Sequence, residues 1–323
     1  MRLTRRVALA GTTMALAVAG QADAQAPAGR PVVIIVPFTA GPAPDIVARI
    51  VAEGMQRRLG QPVVVENRPG ASGNIGADAV ARAAPDGQTL LLHTTTLVMN
   101  AALYRTLPYD PLGSFTPVLG LVDVEYALVL HPDAGGTSVA ELLSRARARP
   151  GALNFGSPGI GTPLHLTMEL FMRAAGVRLT HVPYRGFGPA IAGLLAGEVA
   201  GIFMPVDTAA ELTRDGRVRT VAVAAEARLP LLPGVPTVAE AGVPGVTMRD
   251  WIALLAPART PAPVVARHTA VAAEVLRMPE VARTLSGRGY NLLATPPEEF
   301  RARMVADKER WARVVLEAGI SAE

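Results

Sequence analysis

The sequence predicts an α/β protein built as two lobes, in which sheets of mostly parallel strands carry helices on both faces. Three observations support this prediction. Short apolar runs alternate with amphipathic segments, glycine and proline mark the junctions between them, and the same scheme repeats in the second half of the chain. Strand–helix–strand units of this kind form right-handed crossovers between parallel strands. The 323 residues are enough to build a core in each lobe.

The first half of the chain alternates strand and helix after residue 26. Residues 31–37 are a continuous apolar run, and the next segment places Ile46, Val47 and Ile50 on one helical face. A second helix ends at a Pro-Asp-Gly turn signature at residues 85–87. The elements predicted here are strands at 31–37, 62–66 and 89–93 and helices at 44–59 and 77–84.

The second half repeats this alternation and then returns to the first lobe. The predicted strands are 126–130, 152–155, 179–182, 201–204, 218–224 and a returning strand at 252–256. The predicted helices are 139–147, 163–174, 189–195 and 209–213, followed by a helical tail with short breaks from residue 263. Because crossovers fall near 122–128 and 248–254, lobe 1 is expected to comprise 27–125 plus 252–323, and lobe 2 to comprise 126–251.

The first 26 residues have the pattern of a secretory signal peptide that is removed. Arg2, Arg5 and Arg6 precede a mostly apolar run, and A-x-A cleavage sequences follow it. The run is too short to span a bilayer as a mature helix. Standard and twin-arginine export both remain open. Cleavage removes these three arginines and Asp23, so the formal net charge falls from +4 to +2.

Two loops have the pattern of an anion-binding helix terminus. Residues 36–50 (VPFTAGPAPDIVARI) and 153–171 (LNFGSPGIGTPLHLTMELF) each run from an apolar segment through glycine and proline into an amphipathic helix. The first turn of a helix leaves N–H groups without partners at the positive end of the macrodipole. We therefore expect the two loops to hold a carboxylate or phosphate with backbone groups, facing each other across a cleft.

Seven motifs, in order, carry a resemblance to a known family. They are VPF…G…DIVAR, GQPVVVENRPGASGNIGADAVARAAPDG, LPYDPLGSFTPV, LNFGSPGIGTPLHL, VPYRGFGPAI, LPGVPTVAEAGVPG and LLAPARTPAPVVARH. Together they resemble the extracytoplasmic solute receptors of tripartite tricarboxylate transporters, the Bug-type (TctC-like) binding proteins. The resemblance covers essentially the whole mature chain.

This resemblance implies a fold, a location and a function. The implied fold is the two-lobed type II periplasmic binding protein fold, which closes on its ligand. The implied protein is a periplasmic receptor, expected to act as a monomer. It would bind a small organic carboxylate through the two loops and deliver it to membrane transporter subunits. A sensor that presents its ligand to a membrane signalling partner is an alternative that the residues leave open.

Candidate ligand-binding residues follow from the loops and from the ends of the predicted parallel strands, where ligands sit in open sheets. Thr162 is a favoured helix N-cap before Pro163, and the neighbouring glycines allow close backbone approach. Asp45 is expected either to accept from a ligand donor or to orient its own loop. The full set is Phe38, Thr39, Ala40, Gly41, Asp45, Ser72, Asn74, Thr94, Thr95, Ser157, Gly159, Gly161, Thr162, His165, Tyr184 and Asp207.

Several other classes of site are not expected. The chain has no cysteine, and its five histidines lack paired metal-ligand spacing, so no metal or cofactor is predicted. No basic stripe with interleaved aromatics points to nucleic acid. The rival reading is a periplasmic hydrolase with Ser157 as nucleophile and His165 or His181 as base. It is disfavoured because Phe155 occupies the first glycine position of G-x-S-x-G.

The chain also departs from the family pattern. Residues 39–45 read TAGPAPD, where related receptors usually read like P-P-G-G-x-x-D. Ala200 and Met204 stand where related chains often carry acids, and Asp207 is the candidate substitute. In the first loop, Thr39 and Ala40 each supply an N–H where proline is usual. The carboxylate class is therefore expected, but the particular carboxylate is not predicted.

Overall fold

The computed structural model describes residues 29–321, so the predicted signal peptide, residues 1–26, lies outside the described residues. The strands are β1 (Val32–Val36), β2 (Val63–Asn67), β3 (Thr89–Thr94), β4 (Phe115–Leu130), β5 (Asn154–Ser157), β6 (Thr180–Pro183), β7 (Gly201–Pro205), β8 (Arg219–Val223), β9 (Arg249–Pro257) and β10 (Tyr290–Thr295). The helices are α1 (Ala43–Leu59), α2 (Asn74–Ala81), α3 (Thr96–Leu103), α4 (Pro132–Gly135), α5 (Val139–Ala148), α6 (Pro163–Ala175), α7 (Phe187–Leu195), α8 (Val206–Arg214), α9 (Ala262–Arg277), α10 (Pro279–Gly287) and α11 (Pro297–Ala318).

The two helices that follow the glycine-rich loops begin and end where the sequence signals lie. Thr162 caps α6 by accepting from the backbone N–H of His165, and Gly176 ends it in the left-handed conformation. The helix α1 has proline in its first turn and ends at Gly60, which is also left-handed. Glycine adopts this conformation without the steric cost that a Cβ adds.

The strands form two sheets that share β4. In the first sheet the order is β2-β1-β3-β9-β4-β10, and in the second it is β6-β5-β7-β4-β8. The first part of β4, to Glu125, pairs with β9, whereas the part from Tyr126 onward pairs with β7 and β8. One long strand therefore passes from lobe 1 into lobe 2. The exact lobe bounds expected from the sequence, at 125/126 and 251/252, stay a prediction.

Helices cover both faces of each sheet, as expected for this fold class. In lobe 1, Ile34 of β1 packs in one apolar cluster with residues of α1 and α9, while its neighbour Ile35 packs in another with residues of α2 and α11. In lobe 2, Phe203 of β7 packs on the α5 and α6 side, and Ile202 packs against α7 and α8.

The strand pairing corrects one expectation and the element list corrects two more. The sheets are mixed rather than mostly parallel. The strand β1 pairs in parallel with β2 and β3, and β5 pairs in parallel with β6 and β7. In contrast, β9 runs antiparallel to both β3 and β4. The strand β4 begins at Phe115, not near residue 126. The tail contains β10 as well as helices.

Among residues 29–321, no helix is both long and apolar enough to cross a membrane.

Candidate functional site: a cleft between the lobes

A cleft of about 530 Å³ lies between the lobes, at the carboxyl ends of the parallel strands. Lobe 1 contributes the loops after β1, β2 and β3, lobe 2 contributes the loops after β5 and β6, and the strands β4 and β9 contribute residues at their crossing. The lining residues are Pro37, Phe38, Thr39, Pro42, Ala43, Pro44, Pro69, Gly70, Ala71, Ser72, Gly73, Thr94, Thr96, Val124, Tyr126, Pro158, Gly159, Thr162, Pro163, Leu164, Arg185, Gly186, Phe187, Pro205, Asp250 and Ile252.

In the first loop, Phe38 and Thr39 line the cleft, whereas Asp45 is buried behind it. Asp45 accepts from Gly41 N at 3.0 Å, from Asn67 Nδ2 at 2.9 Å and from Arg49. Burial opposes ionisation of Asp45, but these hydrogen bonds outweigh it and hold its pKa below the usual value. Of the two roles expected for Asp45, the geometry supports orientation of the loop. It also engages the Gly41 N–H, and neither Gly41 nor Ala40 is among the lining residues.

In the second loop, Gly159 and Thr162 line the cleft. The two glycine amides donate inside the loop: Gly159 N donates to Ser157 Oγ at 3.2 Å, and Gly161 N donates to His165 Nδ1 at 3.1 Å. The hydroxyl of Thr162 donates to Gly159 O at 2.9 Å. These bonds shape the loop, whereas the sequence had suggested the glycine amides as ligand donors. Gly161 lies outside the lining.

A buried polar stack supports the second loop from below. Ser157 is fully buried, and its Oγ lies 2.6 Å from His181 Nε2. The His181 ring stacks on His165 with 3.9 Å between centroids and on Phe155 with 4.7 Å. Burial, with a smaller contribution from His165, lowers the pKa of His181 to about 3. Neither Ser157 nor His165 lines the cleft, although both were expected to contact ligand.

The loop after β6 brings a cation into the cleft. Arg185, Gly186 and Phe187 line it, and Phe187 begins α7. Arg185 was not among the candidate residues predicted from the sequence. Its position between the end of a parallel strand and a helix start was the available signal. Tyr184, which had been the candidate, lies outside the lining and donates to Glu198 Oε2 at 2.9 Å.

Some polar residues of lobe 1 line the cleft, whereas others are buried outside its lining. Ser72 and Thr94 line the cleft, and the Ser72 hydroxyl donates to Ile160 O of lobe 2 at 3.1 Å. Asn74 is buried outside the lining and accepts from Asn100 Nδ2 at 2.7 Å and from a tyrosine hydroxyl. Thr95 is also buried, and its Oγ1 accepts from the backbone N–H of Trp251 at 3.1 Å.

The floor of the cleft is built where β4 and β9 cross, and sequence reasoning missed it. Tyr126 and Asp250 line it. The Tyr126 hydroxyl donates to Asp250 Oδ2 at 2.5 Å, and Thr95 N donates to Oδ1 at 3.0 Å. Burial raises the pKa of Asp250 to about 6 despite these bonds. The available signal was an acid at the start of an otherwise apolar returning strand.

Asp207 is not among the lining residues. Its Oδ2 accepts from the Tyr290 hydroxyl at 2.7 Å, and Arg288 lies 3.6 Å from the same oxygen. Since Tyr290 belongs to β10 of the first sheet, Asp207 holds the C-terminal segment against lobe 2. Its expected role as a substitute for a family acid is therefore not supported by its partners. Within residues 29–321 no group of three or more His, Asp or Glu is arranged to hold a metal ion.

Comparisons with known proteins agree with this geometry. The model of the TctC family, described as the tripartite tricarboxylate transporter family receptor, matches residues 47–320. Protein BugT of Bordetella pertussis (strain Tohama I) is 35% identical over 322 residues, 99% of each chain. R. palustris Rpa4515 with adipate has a TM-score of 0.87 at 36% identity, covering 91% of this chain and 98% of its own. MatC (Rpa3494) from Rhodopseudomonas palustris with bound malate has a TM-score of 0.83 at 33% identity, covering 89% and 99%.

Proposed function

Because the chain belongs to the TctC family of tripartite tricarboxylate transporter receptors, we propose that it captures a small organic carboxylate in this cleft and delivers it to transporter subunits in the membrane. One observation carries the proposal: the N-termini of α1, α6 and α7 and the side chain of Arg185 all reach the same cleft. No chemical step is required of it. The protein acts by binding and closing.

The electrostatics of the cleft favour an anion. Each helix N-terminus presents the positive end of a dipole, worth a few tenths of a kcal/mol up to about 2 kcal/mol in partly buried geometry. Arg185 adds a fork of donors that matches a carboxylate. Thr39 adds a hydroxyl from lobe 1, whereas the Thr162 hydroxyl of lobe 2 already donates to Gly159 O. Together these groups can hold one carboxylate from both sides.

The rest of the lining favours a ligand with an apolar body. Phe38, Val124, Leu164, Phe187 and Ile252 face the cleft together with seven prolines. An apolar wall with a few placed polar groups is typical of small-molecule sites. The solved relatives named above hold adipate and malate, which are both small dicarboxylates. These ligands support the proposed class for this chain without identifying its member.

Closure is supported by contacts between the lobes beside the cleft. The Ser72 hydroxyl reaches the carbonyl of Ile160, and a Cβ placed on Gly161 of lobe 2 would lie 2.4 Å from Leu103 Cδ1 of lobe 1. Such contacts belong to a closed arrangement, in which the ligand is enclosed and a transporter can recognise the loaded receptor. In this proposal the receptor is a monomer that delivers its ligand from the periplasm to the transporter.

The hydrolase alternative has one observation in its favour, the 2.6 Å contact between Ser157 Oγ and His181 Nε2. A nucleophile must reach substrate, however, and Ser157 is fully buried and outside the cleft lining. Its hydroxyl also donates to Gly159 O at 3.0 Å. The pair therefore braces the loop. Turnover of esters or amides that disappears in Ser157→Ala would reverse this conclusion.

A thermal-shift screen tests the proposed function. A ligand that binds only the folded state adds RT ln(1 + [L]/Kd), about 2.7 kcal/mol at one hundred times Kd. Small di- and tricarboxylates should raise the melting temperature, and the corresponding neutral amides should not. If no carboxylate shifts the melting transition, the proposal is wrong. The sensor alternative predicts the same shifts and is separated by copurification with transporter subunits.

A further inference from the structure

The cleft contains an acid as well as a cation. Asp250 lies on the floor, on β9, and Arg185 lies on the loop after β6; among the described residues they are the acid and the cation of the lining. A receptor for a plain carboxylate gains nothing from a carboxylate on its floor, because two like charges repel each other. The presence of Asp250 there needs a physical reason.

The hydrogen bonds of Asp250 leave it able to accept more. Thr95 N donates to Oδ1 and the Tyr126 hydroxyl donates to Oδ2. The Thr95 side chain also hydrogen-bonds to this carboxylate and lowers its pKa. Three donors leave at least one of the four carboxylate lone pairs free to accept. These donors are uncharged, and no cation is among the main influences on the pKa of Asp250. A buried carboxylate without a cation is unfavourable unless further donors satisfy it.

We propose that Asp250 determines specificity in this cleft: its carboxylate accepts a hydrogen bond from a hydroxyl or ammonium group of the ligand, while Arg185 and the helix N-termini bind the ligand's carboxylate. The inference rests on the carboxylate-binding function proposed above and narrows the ligand class to hydroxy- or amino-substituted carboxylic acids. Such a ligand carries charges complementary to both residues. It also supplies the donor that the floor lacks.

A purely structural role is the competing explanation, and it makes a different prediction. The Tyr126–Asp250 bond joins the part of β4 in lobe 2 to β9 in lobe 1. If Asp250 served only to hold these strands together, removing its charge would weaken every ligand equally. A specificity role instead changes the ratio of affinities between substituted and unsubstituted acids. That ratio is the quantity to measure.

Calorimetric titrations at pH 7.5 provide the test, with two matched series: succinate, malate and aspartate, and adipate and 2-aminoadipate. Wild-type protein should bind the best hydroxylated or aminated member at least roughly tenfold more tightly than its unsubstituted partner, since hydrogen bonds to charged groups are among the strong ones. In Asp250→Asn this ratio should fall to about one. Tyr126→Phe keeps the carboxylate, so it should keep the ratio even where all affinities fall.

Each of the following outcomes would overturn the inference. An unchanged affinity ratio in Asp250→Asn, or an equal loss of affinity for all ligands in both variants, would mean that Asp250 only holds β4 and β9 together. If Asp250→Asn does not fold, the affinity ratios of the wild-type protein decide alone. Equal affinity for all members within both series would mean that Asp250 does not recognise a hydroxyl or ammonium group. If no carboxylate at all binds the wild-type protein, the proposed function itself fails, which is a distinct result.

Discussion

Glu125 predicts an unusual pH dependence of stability, because it is a buried acid on the strand that joins the two lobes. It is 4% exposed, and its Oε2 has no hydrogen-bond partner. Its closest cation is Arg249 at 3.9 Å; Asp123 and Glu226 oppose its ionisation, and Arg303 favours it. Burial dominates this balance and raises the pKa of Glu125 to about 7.

The sign and size of the effect follow from this pKa. An acid with a folded-state pKa above its unfolded value of 4.5 costs nothing below pH 4.5 and its full penalty above pH 7. At about 1.4 kcal/mol per pKa unit, the penalty at pH 8 is about 3 kcal/mol. Glu125→Gln removes the ionisation. The variant should therefore be more stable than wild type by about 3 kcal/mol at pH 8 and by less than about 0.5 kcal/mol at pH 4.5.

Urea denaturation of both proteins at several pH values between 4.5 and 8 measures this difference directly. Taking the difference between variant and wild type cancels the other titrating groups. The matched control is Glu226→Gln, because Glu226 contacts the same Arg249 at 3.0 Å but its side chain is 71% exposed. That control should change stability by less than about 1 kcal/mol at every pH. A Glu125→Gln curve parallel to that of wild type would refute the argument from burial.

Two further variants test the cleft by calorimetry and small-angle scattering. Gly161→Ala adds a Cβ 2.4 Å from Leu103 Cδ1 and should hold the lobes apart, weakening ligand by at least roughly tenfold and enlarging the radius of gyration. Gly176 is also left-handed but has open space around it, so Gly176→Ala should bind ligand normally. Equal losses of affinity in the two glycine variants would contradict the steric argument for Gly161. Arg185→Gln should weaken carboxylates about 10- to 100-fold and reduce the salt dependence of binding. Arg178→Gln, exposed outside the cleft, should do neither, and identical affinity in both arginine variants would exclude Arg185 from the site.

Local signals were sufficient for most of the alternating elements. The helix predicted at 163–174 is observed at Pro163–Ala175 because its two ends are encoded in adjacent residues: a threonine cap followed by proline at the start, and a left-handed glycine at the end. The same reasoning placed α1 to within one residue at its start. Where the physical cause is local, the sequence alone was enough.

The long strand β4 could not be predicted in full, because its cause is not local. Residues 115–125 include Pro117, Gly120, Asp123 and Glu125, which individually disfavour strand. They are held extended by pairing with Arg249–Pro257, more than one hundred residues away. The strand β10, which the sequence also did not predict, pairs antiparallel with this same strand, β4. A single sequence carries no signal for such a register.

The candidate site divides in the same way. The loops after β1 and β5 were found because each combines glycine, proline and a helix start within a few residues. Asp250 was missed because its place on the cleft floor depends on the register between β9 and β4. Asp45 and Asn74 were predicted to bind ligand, but both are buried outside the cleft lining, where protein groups take up their hydrogen bonds. Which polar group faces a ligand is decided by neighbours distant in sequence.

Titration of the wild-type protein with adipate and adipamide, and with malate and malamide, tests whether this cleft binds the carboxylate group itself. The two members of each pair have the same carbon skeleton and differ in charge. We expect at least one acid to bind with one site per chain and its amide to bind at least roughly a hundredfold more weakly. Equal affinity for acid and amide, or binding of the amides alone, would contradict it.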